Sequence, residues 1–237
     1  MQGVSRAINS LHLAYRISAD VETSEPASNF DILIFSQQWP VTICKYWIGE
    51  TGGQCYYPKR QNRWTVHGIW PRRVGVNYTL YCNSSGSFDP EQIKPLEGEL
   101  MQAWAGVYKE NDPFNFWEHE WLKHGTCSTE LESLNSEFKY FSTGIEWNDK
   151  YSLTDMLYAA DIFPSDTKER SPEDFSNAVK ARTKKSAMMG CYVIDGVVYA
   201  QELRICFDKH FNVIDCEQPA VDETCYSSKG VIYPVNA

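Results

Sequence analysis

The 237-residue sequence contains no apolar run long enough to span a bilayer, which takes about 20 consecutive apolar residues as a helix. It contains no internal repeat and no low-complexity linker, so a solenoid or a string of tethered modules is excluded and one domain is favoured. There is no Cys-x-x-Cys pair, which argues against a zinc ribbon or a thioredoxin-type redox motif. Basic charge is in deficit: 22 Lys and Arg stand against 31 Asp and Glu, for a net charge of −9. A protein that grips nucleic acid along the phosphate backbone is normally basic, so any nucleic-acid contact here has to come from a local site. Residues 1–29 lack the apolar stretch of roughly 7–15 residues that a signal peptide needs. Leu11-His-Leu-Ala-Tyr15 is too short and contains His12. That segment is expected to be flexible, either the remnant of a leader or a start that is not the native one.

Cysteine is plentiful. Eight residues, Cys44, Cys55, Cys82, Cys127, Cys191, Cys206, Cys216 and Cys225, make an even set that reads as four disulfides and an oxidising compartment. Asn77-Tyr-Thr79 and Asn83-Ser-Ser85 are acceptor sequons for N-glycosylation. Together these features describe a secreted glycoprotein. Hydrophobic residues make up 43% and aromatics 14%, enough for a sizeable core with flat surfaces left over for stacking on bases or sugars.

Residues 30–35 read as a buried strand and 64–70 as another. Asp89-Pro90-Glu91-Gln92 opens a helix, with Asp89 as cap and Pro90 at the first position. Leu96, Leu100, Ala103, Trp104 and Val107 continue it at helical spacing, although Pro95 and Gly98 weaken its first turns. Residues 115–127 read as a helix stopped near Gly125, and 129–150 as a helix plus a loop. Ser171-Pro172-Glu173-Asp174 starts another helix, with Lys180, Arg182, Lys184 and Lys185 towards the end that the macrodipole favours for cations. Residues 192–199 form a hairpin with an Asp195-Gly196 turn, and 202–207 with 211–214 a second one around Lys209-His210. The expected class is α+β, a central antiparallel sheet with packed helices in one disulfide-rich domain.

Two segments carry the chemistry: Trp64-Thr-Val-His67-Gly-Ile-Trp70-Pro71 and Phe116-Trp-Glu-His119-Glu120-Trp-Leu-Lys123-His124-Gly-Thr-Cys127. Of five histidines, these hold three; His12, in a polar leader, and His210, at a hairpin turn, read as exposed or structural. On a helix Glu120 and His124 are four apart, Glu120 and Lys123 three, and His119 and Lys123 four, so all share one broad face. His67 would reach them from a neighbouring strand. Zinc proteases place two histidines four apart; here the spacing is five, which turns the second about 140° away from the first. Lys123 between them repels a cation, and a metal site is disfavoured. What remains is acid–base catalysis with a cationic clamp on an anion, which suits transfer of a phosphodiester in RNA. One neutral imidazole takes the 2′-hydroxyl proton and a second, protonated one supplies the departing 5′-oxygen. DNA lacks that hydroxyl, and no cofactor is needed.

These two segments resemble the active-site segments of the ribonuclease T2 family of secreted and lysosomal endoribonucleases. Phe30-Asp31 through Gln37-Gln38-Trp39-Pro40 and Cys44 is similar to the family's opening strand, and the likeness runs from about residue 30 to Cys225. It implies a ribonuclease T2-like catalytic domain over residues 30–237. It implies His124 as general base and His67 as general acid of the first step, with roles exchanged when water opens the 2′,3′-cyclic phosphate to leave 3′-phosphate ends. His119 would hold the phosphate, while Glu120 and Lys123 polarise it. Gln38 and Phe116 match a base pocket on one side of the scissile bond and Trp70 a stacking position on the other; Tyr78 is a second stacking candidate. The resemblance also implies the pairs Cys44–Cys55, Cys82–Cys127, Cys191–Cys225 and Cys206–Cys216.

Arg72 and Arg73 follow Pro71 where many family members carry an acidic or amide residue, so an adenine preference does not transfer. The expected activity is metal-independent cleavage of single-stranded RNA, with a bell-shaped pH profile centred below neutral. The competing reading is a secreted glycoprotein acting through receptors on the same scaffold; the intact set of His67, His119, Glu120, Lys123 and His124 favours the enzyme. Glycans at Asn77 and Asn83 would suit uptake by glycan-binding receptors, placing the protein outside the cell and then in endosomes or lysosomes.

Overall fold

The computed structural model of the chain describes residues 29–57, 62–75, 80–83, 86–109, 112–216, 223–226 and 230–235. Apart from Asn29, the N-terminal segment lies outside the described residues, as do His12, Asn77 and Tyr78. Strand β1 (Ile32–Gln38) is buried at all seven positions. It begins two residues later than the apolar run suggests and continues through Ser36, Gln37 and Gln38. The strand-like opening segment stops at Trp39, because Pro40 lacks the N–H a central strand needs and its fixed φ suits a helix start. Helix α1 (Pro40–Thr51) follows and ends on Gly52 at φ 68°, a left-handed position that glycine adopts without penalty. Strand β2 (Thr65–Arg72) comes next.

The helix expected from Asp89 is broken. Asp89 does cap α2 (Pro90–Ile93), its carboxylate accepting from the Glu91 N–H, but Pro95 forces a 3₁₀ turn before α3 (Glu97–Ala103). Trp104 caps that helix and Val107 lies outside it. Helix α4 (Pro113–Lys123) is described with the site below. Helix α5 (Glu137–Lys150), capped by Ser136, lies within the stretch expected as helix plus loop, and the unanticipated α6 (Leu153–Ala159) is capped by Ser152. Strand β3 (Ser165–Arg170) was also unanticipated, being exposed at most positions and therefore lacking an apolar alternation. Helix α7 (Pro172–Thr183) starts where expected, with Ser171 and Asp174 satisfying each other's backbone N–H groups.

Strands β4 (Met188–Ile194) and β5 (Val197–Asp208) form the expected hairpin, with Asp195 and Gly196 both at positive φ in a two-residue turn. Short strand β6 (Val213–Ile214) returns along β5, and α8 (Glu223–Tyr226) precedes β7 (Val231–Tyr233). The sheet runs β2-β1-β5-β7-β3, with β4 and β6 also on β5. Among the described residues every strand pairing is antiparallel except one, the parallel contact of β5 with β7 at Tyr199 and Ile232. The sheet is thus mixed by a single parallel pairing.

One face of this sheet is closed. Trp147 of α5 stacks on Phe207 with centroids 4.2 Å apart and meets Phe35 edge-on at 5.5 Å. The Tyr140 hydroxyl donates to the Ile69 carbonyl at 2.9 Å, tying α5 to β2. Trp39, Trp64, Trp104, Trp117 and Tyr140 are fully buried in this core. Each such side chain contributes on the order of 1.5–3 kcal/mol when buried. The other face, where Ile34 pairs with both Trp70 and Cys206, carries only a small apolar cluster. The candidate site occupies that thinly covered face.

Candidate active site

Backbone register decides where His67 points. Ser36 pairs with Gly68 but Gln37 pairs with Val66, so His67 is the extra residue of a β-bulge in β2. In a regular strand, residues three apart lie on opposite faces. The bulge cancels one alternation, so His67 and Trp70 come to the same face with ring centroids 4.9 Å apart. Trp104 donates its indole N–H to the His67 carbonyl at 2.9 Å, holding the bulged backbone.

Helix α4 supplies the opposite wall. Asp112 caps it by accepting from the Phe114 N–H at 3.0 Å, and Pro113 occupies the first turn. Trp117, Glu120 and Trp121, at three- and four-residue spacing, turn inward. His119 is exposed and Lys123 half-buried at the cleft. The helix ends at Lys123, earlier than the sequence suggests. His124 sits outside it at φ −122°, ψ −49°, and residues 125–127 form a 3₁₀ turn. A Cβ on Gly125 would lie 2.3 Å from the Trp121 ring, so the chain can turn tightly there only with glycine. The helical-face argument therefore holds for His119, Glu120 and Lys123 but not for His124, which reaches the cleft through this turn. Its ring lies 5.4 Å from that of Trp70. The Cys82–Cys127 disulfide and the Tyr81 N–H bonded to the Lys123 carbonyl at 2.9 Å fasten the turn. All four cysteine pairs implied by the resemblance are formed.

His67, Trp70, His119, Glu120, Lys123 and His124 line one cavity of about 580 Å³, together with Arg72 and Arg204. A second, of about 330 Å³, shares His67, His119 and Glu120 with the first and takes in Gln38 and Phe116, with Tyr108 and Tyr192 beside them. The two expected base positions thus line different cavities that both include His67. A third cavity, of about 380 Å³ near Asp155 and Arg182, includes none of these groups. Asn83 is exposed, and Arg73 is half-buried beside the first cavity's Arg72.

The two imidazoles are electrostatically opposite. His124 is buried, its Nδ1 having no partner among the described residues. Burial first, then the charges of Lys123, His67 and His119, lowers its pKa to about 3. His119 is lowered too, by partial burial, Lys123 and His67. His67 goes the other way. Desolvation opposes its charge, but Glu202 and Glu120 more than offset this and raise its pKa above the usual 6.5. Its Nδ1 lies 2.6 Å from Glu202 Oε1, while its Nε2 is 3.8 Å from Glu120 Oε1. Glu120 is 1% exposed and accepts the Trp70 indole N–H at 3.0 Å; burial raises its pKa despite His67, Trp70 and Lys123. Among the described residues no cluster of three or more His, Cys, Asp or Glu side chains is arranged to hold a metal ion.

Sequence reasoning missed Glu202 and Arg204. They lie two apart on β5, hence on one face, in a strand whose other residues read as apolar hairpin. The available signal was the charged pair itself, since burying Glu in a central strand is costly unless it has a partner.

The ribonuclease T2 family model matches residues 30–216. Ribonuclease Oy of Magallana gigas is 32% identical over 211 residues, covering 87% of this chain and 97% of that protein. Extracellular ribonuclease LE of Solanum lycopersicum is 29% identical over 196 residues, 80% of this chain and 82% of that one. The crystal structure of RNase NT in complex with 5′-AMP superposes with a TM-score of 0.74 at 28% identity, covering 87% of this chain and 98% of that one. On the match of the family model and of full-length relatives, the chain belongs to the ribonuclease T2 family.

Proposed function

We propose that the protein is an endoribonuclease that cleaves single-stranded RNA by acid–base transesterification between His124 and His67. The observation that carries this reading is the convergence of His67, Lys123 and His124 on one cavity, where their surroundings shift the two imidazoles in opposite directions. His124, lowered to about 3, is neutral across the working range and suits a base; His67, raised, keeps its proton and suits an acid. His124 removes the proton of the 2′-hydroxyl, and the oxygen attacks phosphorus in line. The bond to the 5′-oxygen breaks as His67 delivers its proton there, leaving a 2′,3′-cyclic phosphate. Water then opens the ring with the roles exchanged, giving a 3′-phosphate. Lys123 meets the charge on the non-bridging oxygens, His119 holds the phosphate, and Glu120 keeps its carboxylate beside the reacting centre. Gln38 and Phe116 supply one base position and Trp70 the other.

Cleavage of single-stranded RNA at pH 5 in EDTA, wild type against His124→Ala, tests this. EDTA-resistant cleavage by the wild type and its loss in the variant are expected. Cleavage that EDTA abolishes, or that survives the substitution, overturns the mechanism.

Four disulfides support an oxidising compartment for the chain. The two sequons support the further proposal of secretion, with glycans at exposed Asn83 and at Asn77 leading to receptor uptake into endosomes or lysosomes. Cells should take up the Asn77→Gln, Asn83→Gln protein more slowly; equal uptake refutes the glycan route.

A further inference from the structure

The buried carboxylate behind His67 has no part in the steps just described. Glu202 is 1% exposed, and its Oε1 is 2.6 Å from His67 Nδ1. Its Oε2 accepts from Arg204 Nε at 2.8 Å and from a terminal nitrogen of the same guanidinium. The guanidinium lies over the Trp70 ring, 5.3 Å from its centroid. Trp70 in turn donates to Glu120, which faces the far nitrogen of the same imidazole. These contacts form a closed circuit, His67–Glu202–Arg204–Trp70–Glu120, around a residue that the β-bulge leaves without ladder pairing.

The two carboxylates are not equivalent. Glu202 is within hydrogen-bond reach of Nδ1, whereas Glu120 at 3.8 Å is beyond it from Nε2. A carboxylate on one ring nitrogen fixes which nitrogen carries the transferable proton and how the ring is turned. Arg204 makes Glu202 a firm acceptor. Burial alone would raise the carboxyl's pKa, but Arg204 and His67 hold it down to about 2.

We infer that Glu202 is the positioning residue of His67, holding Nδ1–H so that Nε2 delivers the proton to the departing 5′-oxygen, with Arg204 locking the carboxylate in place. The inference rests on the two-histidine reading above and deepens it. Ionisable groups face His67 from each wall of the site. Glu202 and Arg204 come from β5, Glu120 and His119 from α4, and His124 from the turn after it.

The test compares two substrates. A dinucleotide needs a proton on its leaving alkoxide; a nucleoside 3′-(4-nitrophenyl phosphate) expels a phenolate that needs none. For Glu202→Gln, kcat on the dinucleotide is expected to fall by roughly 10–100-fold, part of the ~10²–10⁴ that a positioned acid contributes, with KM little changed. The alkaline limb of its pH profile should move to lower pH, and the nitrophenyl ester should be cleaved within about twofold of the wild-type rate. Equal losses on both substrates would make Glu202 a purely structural residue and overturn the inference, as would no loss on either. His67→Ala runs alongside. If it stays active on the dinucleotide, the two-histidine reading itself fails; if it is inactive while Glu202→Gln matches the wild type, only the positioning role fails. Should Glu202→Gln not fold, nitrogen NMR of the wild type decides. The neutral ring of His67 is expected as the Nδ1–H tautomer, and finding Nε2–H refutes the assignment.

Discussion

The sharpest perturbation the structure offers is Gly68→Ala. Gly68 lies between His67 and Trp70 in β2, and its φ is outside the left-handed region, so alanine brings no backbone strain. Its steric effect is severe. A Cβ there would stand 2.2 Å from Glu120 Oε2 and 2.2 Å from Trp70 Nε1, the two atoms of a 3.0 Å hydrogen bond. Carbon does not approach such atoms closer than 3.0 Å, so the buried carboxylate and the indole must each shift by about 1 Å. A hydrogen bond to a charged group contributes about 1.5–3 kcal/mol. For a chain of this size, its loss lowers the unfolding midpoint by roughly 3–12 °C. A displacement of about 1 Å at a reacting centre costs on the order of 10²-fold in rate. The assay is kcat for a short single-stranded RNA at pH 5 and 25 °C, paired with thermal unfolding. Gly98→Ala is the control, because a Cβ at Gly98 meets nothing within 4 Å and its rate should be unchanged. Wild-type kcat in Gly68→Ala would refute the reasoning. So would a lowered midpoint with kcat intact, since Glu120 would then matter to the fold alone.

The pH profile of kcat/KM on a dinucleotide should be bell-shaped with its limbs assigned. In the proposed steps His124 acts neutral, so activity should be lost as pH falls towards its pKa of about 3; His67 acts protonated, so activity should be lost as pH rises through its pKa, which lies above 6.5. A flat profile, or an alkaline limb below 6.5, contradicts the assignment. The Cys82–Cys127 and Cys206–Cys216 bridges have sequence separations of 45 and 10, worth about 4 and about 3 kcal/mol in a chain-entropy account. Replacing either pair by serine should lower the unfolding midpoint, but only loss of Cys82–Cys127, which fastens the turn bearing His124, should also cut kcat at 25 °C. Equal kcat in the two double variants would show that this turn holds without its tether.

Local chemistry was readable where a signal occupies a few consecutive residues. Asp89, Ser171 and the Asp195-Gly196 turn act where capping and turn rules place them, because cap and turn geometry involves only neighbours within four residues. Helix boundaries were less readable. Pro95 splits one helix, and the Gly125 turn against Trp121 stops another before His124; the breaking residues stand in the sequence, but spacing rules do not fix the position at which each helix yields. Strand β3, mostly exposed and paired only through β7, has no apolar pattern to announce it.

The sequence by itself singled out the candidate reacting groups: His67, His119, Glu120, Lys123 and His124, in two motifs whose residue types suit proton transfer at an anion. Its even set of eight cysteines also announced the four disulfides that the structure forms. Only the tertiary structure decided how those groups are placed and what surrounds them. The register that makes His67 the bulged residue is set by pairing with Ser36 and Gln37, some thirty positions away. Glu202, which faces it, is 135 residues further along the chain. Such contacts leave no local periodicity, because side-chain alternation reports one strand's own faces and not the partner across the ladder. The opposite pKa shifts of two identical imidazoles are tertiary for the same reason: burial and neighbouring charges set them, and both exist only once the strand, the helix and the turn are brought together.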